Sequence, residues 1–303
     1  MAGNWALSRR RDALEQRGVI LDRVRRFFQE KGYLEVETPF RIPAPAPEAQ
    51  IDAVASAGWF LQTSPELCMK RMLAAGYGSI FQICRCWREG ERGTRHLSEF
   101  TMLEWYRAGA DYLCLMEETE ALVAAAAAAP RFVYRGRSVE LAPPWERITV
   151  EEAFRLHADT TPQQALEAGV FDEVMVERIE PQLGLTRPTF IYDYPACCAA
   201  LARLKPGDPS LAERFELYIG GLEIANAFSE LTDPGEQRRR FEAEAAERAR
   251  AGKVAYPAPE RFLDALAEMP ESAGIALGLD RLVMVLLDAD TIDEVVAFTP
   301  EEL

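Results

Sequence analysis

Apolar and charged residues alternate at helical spacing from about Ser8 to Lys31. Leu14, Val19, Leu21, Val24, Phe27 and Phe28 mark the apolar side, and Gly32 ends the run. YLEVETPF follows as a strand closed by Pro39, and RIPAPAPEAQ reads as a proline-rich loop with no core signal. WFLQT is a strand. Ser64-Pro65-Glu66 then opens a helix with a serine cap, proline at the first position and a carboxylate in the first turn; LCMKRMLAAG carries it to Gly76. Phe81 to Gly109 gives a strand, a charged loop and a second strand. Asp111 to Ala129 is a helix whose alanine run is helix propensity, and Pro130 ends it. Residues 145–187 give short helices with little visible chemistry. FIYDYP is a strand, RFELYIGGLEIANAF a hairpin turning at Gly220-Gly221, and Gln237 to Gly252 a solvated helix of mixed charge. SAGIALG is a strand of small residues and LDRLVMVLL a helix. Antiparallel strands with flanking helices make an α+β fold; neither an internal repeat nor a linker interrupts it.

Composition narrows the classes. The 303 residues are 49% apolar and carry a net charge of -15. No stretch of eighteen apolar residues exists, so no membrane span is expected. The N-terminal MAGNWALSRRRDALEQR lacks the apolar run of a signal peptide, which points to the cytoplasm. Cys68, Cys84, Cys86, Cys114, Cys197 and Cys198 form no CxxC pair and read as reduced, mostly core residues. With only His96 and His157, a histidine-rich metal site is not expected. The acidic balance weighs against a polyanionic partner such as tRNA, although a local basic patch can overrule net charge.

The charged strand pair carries the first candidate chemistry. Alternate strand residues share a face, so Phe100, Met102, Glu104 and Tyr106 line one side of the second strand. Arg88 ends the first strand, and the loop returns through Arg92, Arg95 and His96. Two readings stand: a half-solvated hairpin with a charged tip, or a site for a ligand that is aromatic, anionic and cationic at once. In the second, Arg88 takes a phosphate or carboxylate and Phe100 stacks on a base.

The later hairpin adds acids. A two-residue turn puts Tyr218 opposite Glu223 and makes Glu216 the diagonal neighbour of Glu223. This is either a solvent-facing acidic pair or a seat for a hard cation such as Mg²⁺. Asn226, Phe228 and Glu230 have the opposite parity from Glu223, so one shared site demands a bulge between Glu223 and Asn226. In GIALGLDRL, small residues admit close approach, and Arg281 in the first helical turn asks for an anionic partner.

Together these segments resemble motifs 2 and 3 of the class II aminoacyl-tRNA synthetases, and GYLEVETPF resembles motif 1, the dimer-forming helix and strand. TSPELCMKRM, HLSEFTMLEWY and GLEIANAFSELTD resemble the lysine-pocket segments of the lysyl subgroup. The resemblance implies one class II catalytic domain over residues 1–303, a homodimer, and the cofactors ATP and Mg²⁺. It implies catalytic Arg88 and Arg281; ATP contacts from Arg88, Glu89, Glu91, His96, Phe100, Glu223, Ile224, Gly278 and Arg281; and metal contacts from Glu216 and Glu223. It gives the amino acid Ser64, Pro65, Glu66, Glu104, Tyr106, Asn226, Phe228, Glu230 and Ala276, with Glu230 and Tyr106 on the side-chain ammonium and Glu66 and Glu104 on the other amine. The family's arginine-asparagine-glutamate run here reads Arg88-Glu89-Gly90-Glu91, and its histidine-asparagine reads His96-Leu97.

Motif 1 begins almost at the N-terminus, so no anticodon-binding domain is expected. A stand-alone lysyl catalytic domain resembles the elongation factor P lysine ligases, which implies activation of (R)-β-lysine, or lysine, and its attachment to elongation factor P, with no tRNA partner. Ser64 and Ala276 stand where tRNA-charging enzymes carry alanine and glycine, which agrees with that subgroup. The alternatives are a truncated lysyl-tRNA synthetase-like enzyme acting on RNA and a non-catalytic amino-acid-binding paralogue.

Overall fold

The computed structural model describes residues 5–303; the first four, part of the N-terminal stretch read above as leaderless, lie outside the described residues. A nine-stranded sheet organises the chain. Its strands are β1 (Leu34–Glu35), β2 (Ser79–Trp87), β3 (Glu99–Ala108), β4 (Glu146–Thr149), β5 (Thr189–Pro195), β6 (Leu204–Lys205), β7 (Asp208–Ile219), β8 (Leu222–Ser229) and β9 (Ser272–Gly278). The spatial order is β1-β2-β3-β9-β8-β7-β5-β4, with β6 beside β7. Only the β1–β2 and β4–β5 pairs are parallel. The architecture is α+β, as the alternation of elements implies.

One sheet face is closed by α1 (Trp5–Glu30), α3 (Tyr112–Ala127) and α5 (Leu279–Leu286). The main core lies under them, where Phe28, Phe81, Trp105, Leu115, Val123 and Leu282 are fully buried. Burying such side chains is worth about 1.5–3 kcal/mol each. Trp105 and Leu103 point into this core, so Glu104 and Tyr106 are sent to the other face. There α2 (Glu66–Ala74) and α4 (Pro234–Arg250) help to wall a cleft. The two-residue turn at Gly220-Gly221 requires positive φ at both positions, and they adopt +62° and +73°.

Three local expectations change. YLEVETPF contributes only the two-residue β1, because Val36 leaves the ladder after one further bond to Phe81 O. RIPAPAPEAQ is a packed wall: Pro45 and Pro47 are buried, and buried Arg248 on α4 donates to the carbonyls of Glu48 and Ile51, each at 2.8 Å. The helix bearing Arg248 is therefore solvated on one side only; Gln237 and Phe241 are buried as well.

Candidate active site

The cleft forms from strand register. Glu104 pairs with Ala276, Ala276 with Asn226, and Asn226 with Glu216, so these four make one row across β3, β9, β8 and β7. Tyr106, Gly274, Phe228 and Arg214 make the next row. The expected bulge is present. The β7–β8 register shifts between Leu217 and Tyr218, leaving Ile224 as the extra residue. That shift brings Glu223 onto the same face as Asn226 and Phe228. All of these except Glu216 and Arg214 line a cavity of about 290 Å³, which also includes Ser64, Glu66, Arg88, Glu91, Arg95 and His96. Phe100, Met102, Ile224, Gly278 and Arg281 also stand on its wall.

The cavity is electrically polarised. Arg88, Arg95, His96 and Arg281 gather at one end of β3, near Phe100. Glu66, Glu104 and Glu230 lie at the other, near Tyr106, roughly 20 Å along the strand at 3.4 Å per residue. At the basic end Arg281 Nη1 donates to Glu223 O at 3.0 Å and to Glu223 Oε2 at 3.2 Å, and Nη2 contacts His96 Nε2. Burial, then the charge of Arg281, holds the His96 ring below its usual range, so it meets the guanidinium as a neutral acceptor. Arg88 lies over the Phe100 ring, 5.1 Å from its centroid. Its Nε is buried without a hydrogen-bond partner, an orphaned donor suited to a phosphate or carboxylate oxygen.

At the acidic end Ser64 Oγ accepts the Glu66 N–H at 3.0 Å and donates to Glu104 Oε1 at 2.6 Å. Ser64 thus ties helix to strand; the residue that caps α2 is Pro65, which stays off the cavity wall. Tyr106 Oη donates to Glu104 Oε2 at 2.8 Å. Burial first, then the charge of Glu66, pushes the Glu104 carboxyl up to about 8. Glu230 is pushed up to about 8 as well, by burial against the opposing pull of Lys70.

Glu230 does not open onto the cavity. Its side chain is 0% exposed, behind Gly274 and Tyr106, and it pairs with Lys70 Nζ. Lys70 also bonds Glu66 Oε1 at 2.6 Å and lies 4.9 Å from the Phe228 centroid, while Glu230 Oε1, beside the cavity-lining Gly274, is left without a hydrogen-bond partner. Burial opposes the Lys70 charge, but Glu230 and Glu66 hold its ammonium above the usual lysine range. The signal for Lys70 was its i,i+4 spacing from Glu66, a spacing that normally marks a surface pair.

Two more expectations change. Glu89 is exposed and off the cavity, because Gly90 in a left-handed turn carries the chain away; Glu91 faces inward instead. Glu216 is also off the cavity wall. Its Oε1 accepts from Arg214 at 2.6 Å, and its Oε2 from Tyr194 and Tyr218, each at 2.7 Å. Arg214 sits two residues earlier on the same face and holds Asn226 Oδ1 at 3.1 Å. Among the described residues no group of three or more His, Cys, Asp or Glu could hold a metal ion. Glu223, 37% exposed, still offers a carboxylate to a cation that shares phosphate oxygens, whereas the oxygens of Glu216 already have partners. Glu180, in the segment read as carrying little chemistry, joins these acids and is pushed up to about 7 by burial and by Glu216 and Glu223.

A mostly antiparallel sheet with flanking helices, holding an arginine–aromatic end opposite an acid pocket, defines a class of amino-acid-activating domain. The chain belongs to the class II tRNA synthetases (D, K and N), whose family model matches residues 5–302. Within that class it is similar to proteins named elongation factor P--(R)-beta-lysine ligase. That of Erwinia tasmaniensis is 40% identical over 98% of this chain and 97% of its own length. Those of Vibrio cholerae and Klebsiella pneumoniae are each 38% identical, over 97% and 94% of both chains respectively. No helix among the described residues is long and apolar enough to cross a membrane.

Proposed function

We propose that this chain activates (R)-β-lysine, or lysine, with ATP and ligates it to a lysine side chain of elongation factor P in the cytoplasm, as a homodimer and without tRNA. The observation that carries this reading is charge complementarity. Three carboxylates and one ammonium (Glu66, Glu104, Glu230 and Lys70) leave a pocket of charge -2 when ionised, the complement of a diamine bearing two ammonium groups. The guanidinium end suits its carboxylate and the triphosphate.

In the first step the amino-acid carboxylate attacks the α-phosphorus of ATP, and pyrophosphate leaves. Arg88 bridges carboxylate and α-phosphate; turning toward them takes it off Phe100 and frees that ring face for adenine. Ile224 and Gly278 border the nucleotide, and Arg281 with His96 and Glu91 orders its phosphate tail. Bound Mg²⁺ supplies charge neutralisation on the polyphosphate, and Glu223 would hold it together with phosphate oxygens. One ammonium group rests on Glu104 and the Tyr106 oxygen, the other on Glu66, while Glu230 acts through Lys70. Asn226 and Phe228 shape the wall. The Ala276 methyl projects between Glu104 and Asn226, where one methylene's volume is worth about 10–200-fold in selectivity between isomers. In the second step an acceptor amine attacks the acyl carbon and AMP leaves.

The test is the mass increment on elongation factor P after incubation with ATP and each lysine isomer. A (R)-β-lysyl adduct exceeding the lysyl one is expected. Aminoacylated RNA with unmodified protein would establish the RNA-charging alternative, and ligand binding without pyrophosphate exchange would establish a non-catalytic paralogue.

A further inference from the structure

The transfer step needs a neutral acceptor amine, and none of the groups assigned above takes its proton. The proline-rich wall supplies a candidate. Residues 48–52 are pinned from several sides: Arg248 holds the carbonyls of Glu48 and Ile51, Lys253 Nζ donates to Ala49 O at 2.8 Å, and Ala49 N–H donates to Glu244 Oε2 at 2.7 Å. Among the described residues none donates a hydrogen bond to the half-buried Glu48 carboxylate. With Ile51, Ala200 and Leu201 it forms the partition between the active-site cavity and a second cavity of about 610 Å³.

The second cavity has a lining suited to a lysine side chain. Pro47, Ala199, Leu204 and Phe241 make it apolar, and its mouth opens beside the exposed Ala243 and Cys197. Glu48 stands on its boundary with the active-site cavity. The one arginine on its wall, Arg240, is already bound to Glu236 and to the carbonyls of Ala200 and Ala202. A methylene stem can lie along the apolar wall while its ammonium reaches an unengaged carboxylate. Neither the nucleotide nor the diamine uses this space in the reading above.

We propose that the second cavity admits the acceptor protein's lysine side chain and that Glu48 takes its ammonium proton; this rests on the ligase reading above. The free amine then attacks the acyl carbon, and the C–N bond forms as the bond from that carbon to the AMP oxygen breaks. The departing phosphate takes the second nitrogen proton, and Glu48 returns the first to solvent. The groups facing Glu48 are Glu66 and Glu244, which disfavour its ionised form, and Arg88 and Arg214, which favour it; with burial as the largest influence, its carboxyl is pushed up to about 7. That value suits a proton acceptor near neutrality, and loss of hydration lowers the ammonium's own affinity for its proton.

The experiment compares elongation factor P modification with lysine-dependent pyrophosphate exchange in the full chain. A general base contributes about 10²–10⁴-fold, so Glu48→Gln should lower the ratio of transfer to exchange by that factor. It should also flatten the rise of transfer with pH through about 7, and Glu48→Asp should recover part of both. Ala243→Trp, at an exposed helical position, should narrow the mouth and lower the same ratio while hydroxylamine, a small nucleophile, still captures the adenylate. A ratio unchanged in Glu48→Gln and Ala243→Trp overturns the proposal. So does an equal loss of exchange and transfer, which would put the amino acid or nucleotide in this cavity. A wild-type chain that performs no exchange at all would instead overturn the ligase reading.

Discussion

A single methyl group at Gly274 tests the pocket most directly. Gly274 lies opposite Tyr106 on β3 and Phe228 on β8. A Cβ there would stand 2.2 Å from Tyr106 Cε1 and 2.4 Å from Glu230 Oε1. Non-bonded carbons settle at about 3.5–4.0 Å, so the ring must retreat by roughly 1.3–1.8 Å. Its φ lies outside the left-handed region, and alanine in an extended strand regains about 0.5–1 kcal/mol of the entropy that glycine loses. Overpacking costs about 1–3 kcal/mol, which leaves a folded protein with a slightly lower Tm. Function should suffer far more. The displaced ring takes its hydroxyl off Glu104, a 2.8 Å bond, and a misplacement of about 1 Å costs on the order of 10²-fold. Gly274→Ala should therefore lower kcat/KM for lysine in pyrophosphate exchange by about 100-fold. KM for ATP should hold within a few fold, because Phe100 lies roughly 20 Å away along β3. A variant with near-normal lysine kinetics would refute the placement of Tyr106 on the substrate wall, and equal losses for lysine and ATP would show a general distortion instead.

Two further outcomes follow from the buried charges. Glu104 and Glu230 titrate near 8 in the ligand-free pocket, so a diamine that needs them ionised should release protons on binding at pH 7, measured by calorimetry in buffers of different ionisation enthalpy. Their folded values lie above the ordinary carboxylate range; their contribution to stability is thus full below about pH 4.5 and is lost as pH rises through about 8. Ligand-induced stabilisation should grow over that window, and a ligand-induced Tm shift independent of pH would contradict this. Above about pH 8, where Glu230 is ionised, Lys70→Met leaves Glu66 and Glu230 without their shared cation, which should destabilise the ligand-free protein by about 3–5 kcal/mol in denaturant melts, less with diamine bound. Unchanged stability would show that the pair is not sustained by Lys70.

What could be read from the sequence is what one element determines by itself. Two-residue alternation put Phe100, Met102, Glu104 and Tyr106 on one face of β3, and all four line the cavity. The parity conflict between Glu223 and Asn226 required a bulge, and Ile224 is that bulge. The same rule could have found Arg214, two residues before Glu216 on the same face, and with it the reason Glu216 is not a free metal ligand. Glu48 and Lys70 carry no such signal. A proline-rich segment has no period to read, and Glu48 gains its setting from Arg248, Lys253 and Glu244, some two hundred residues away, which hold the backbone around it. Lys70 looks like half of a helical surface pair until Glu230 arrives from β8's end to make it a buried cation. Local pattern thus reaches the residues that would touch ligand, while the residues that set their charge, or would move a proton past them, are defined by tertiary approach. Burial supplies the physical difference: a carboxylate on a half-exposed strand behaves as its residue type implies, but one closed in by other elements takes its protonation from whichever charges those elements bring.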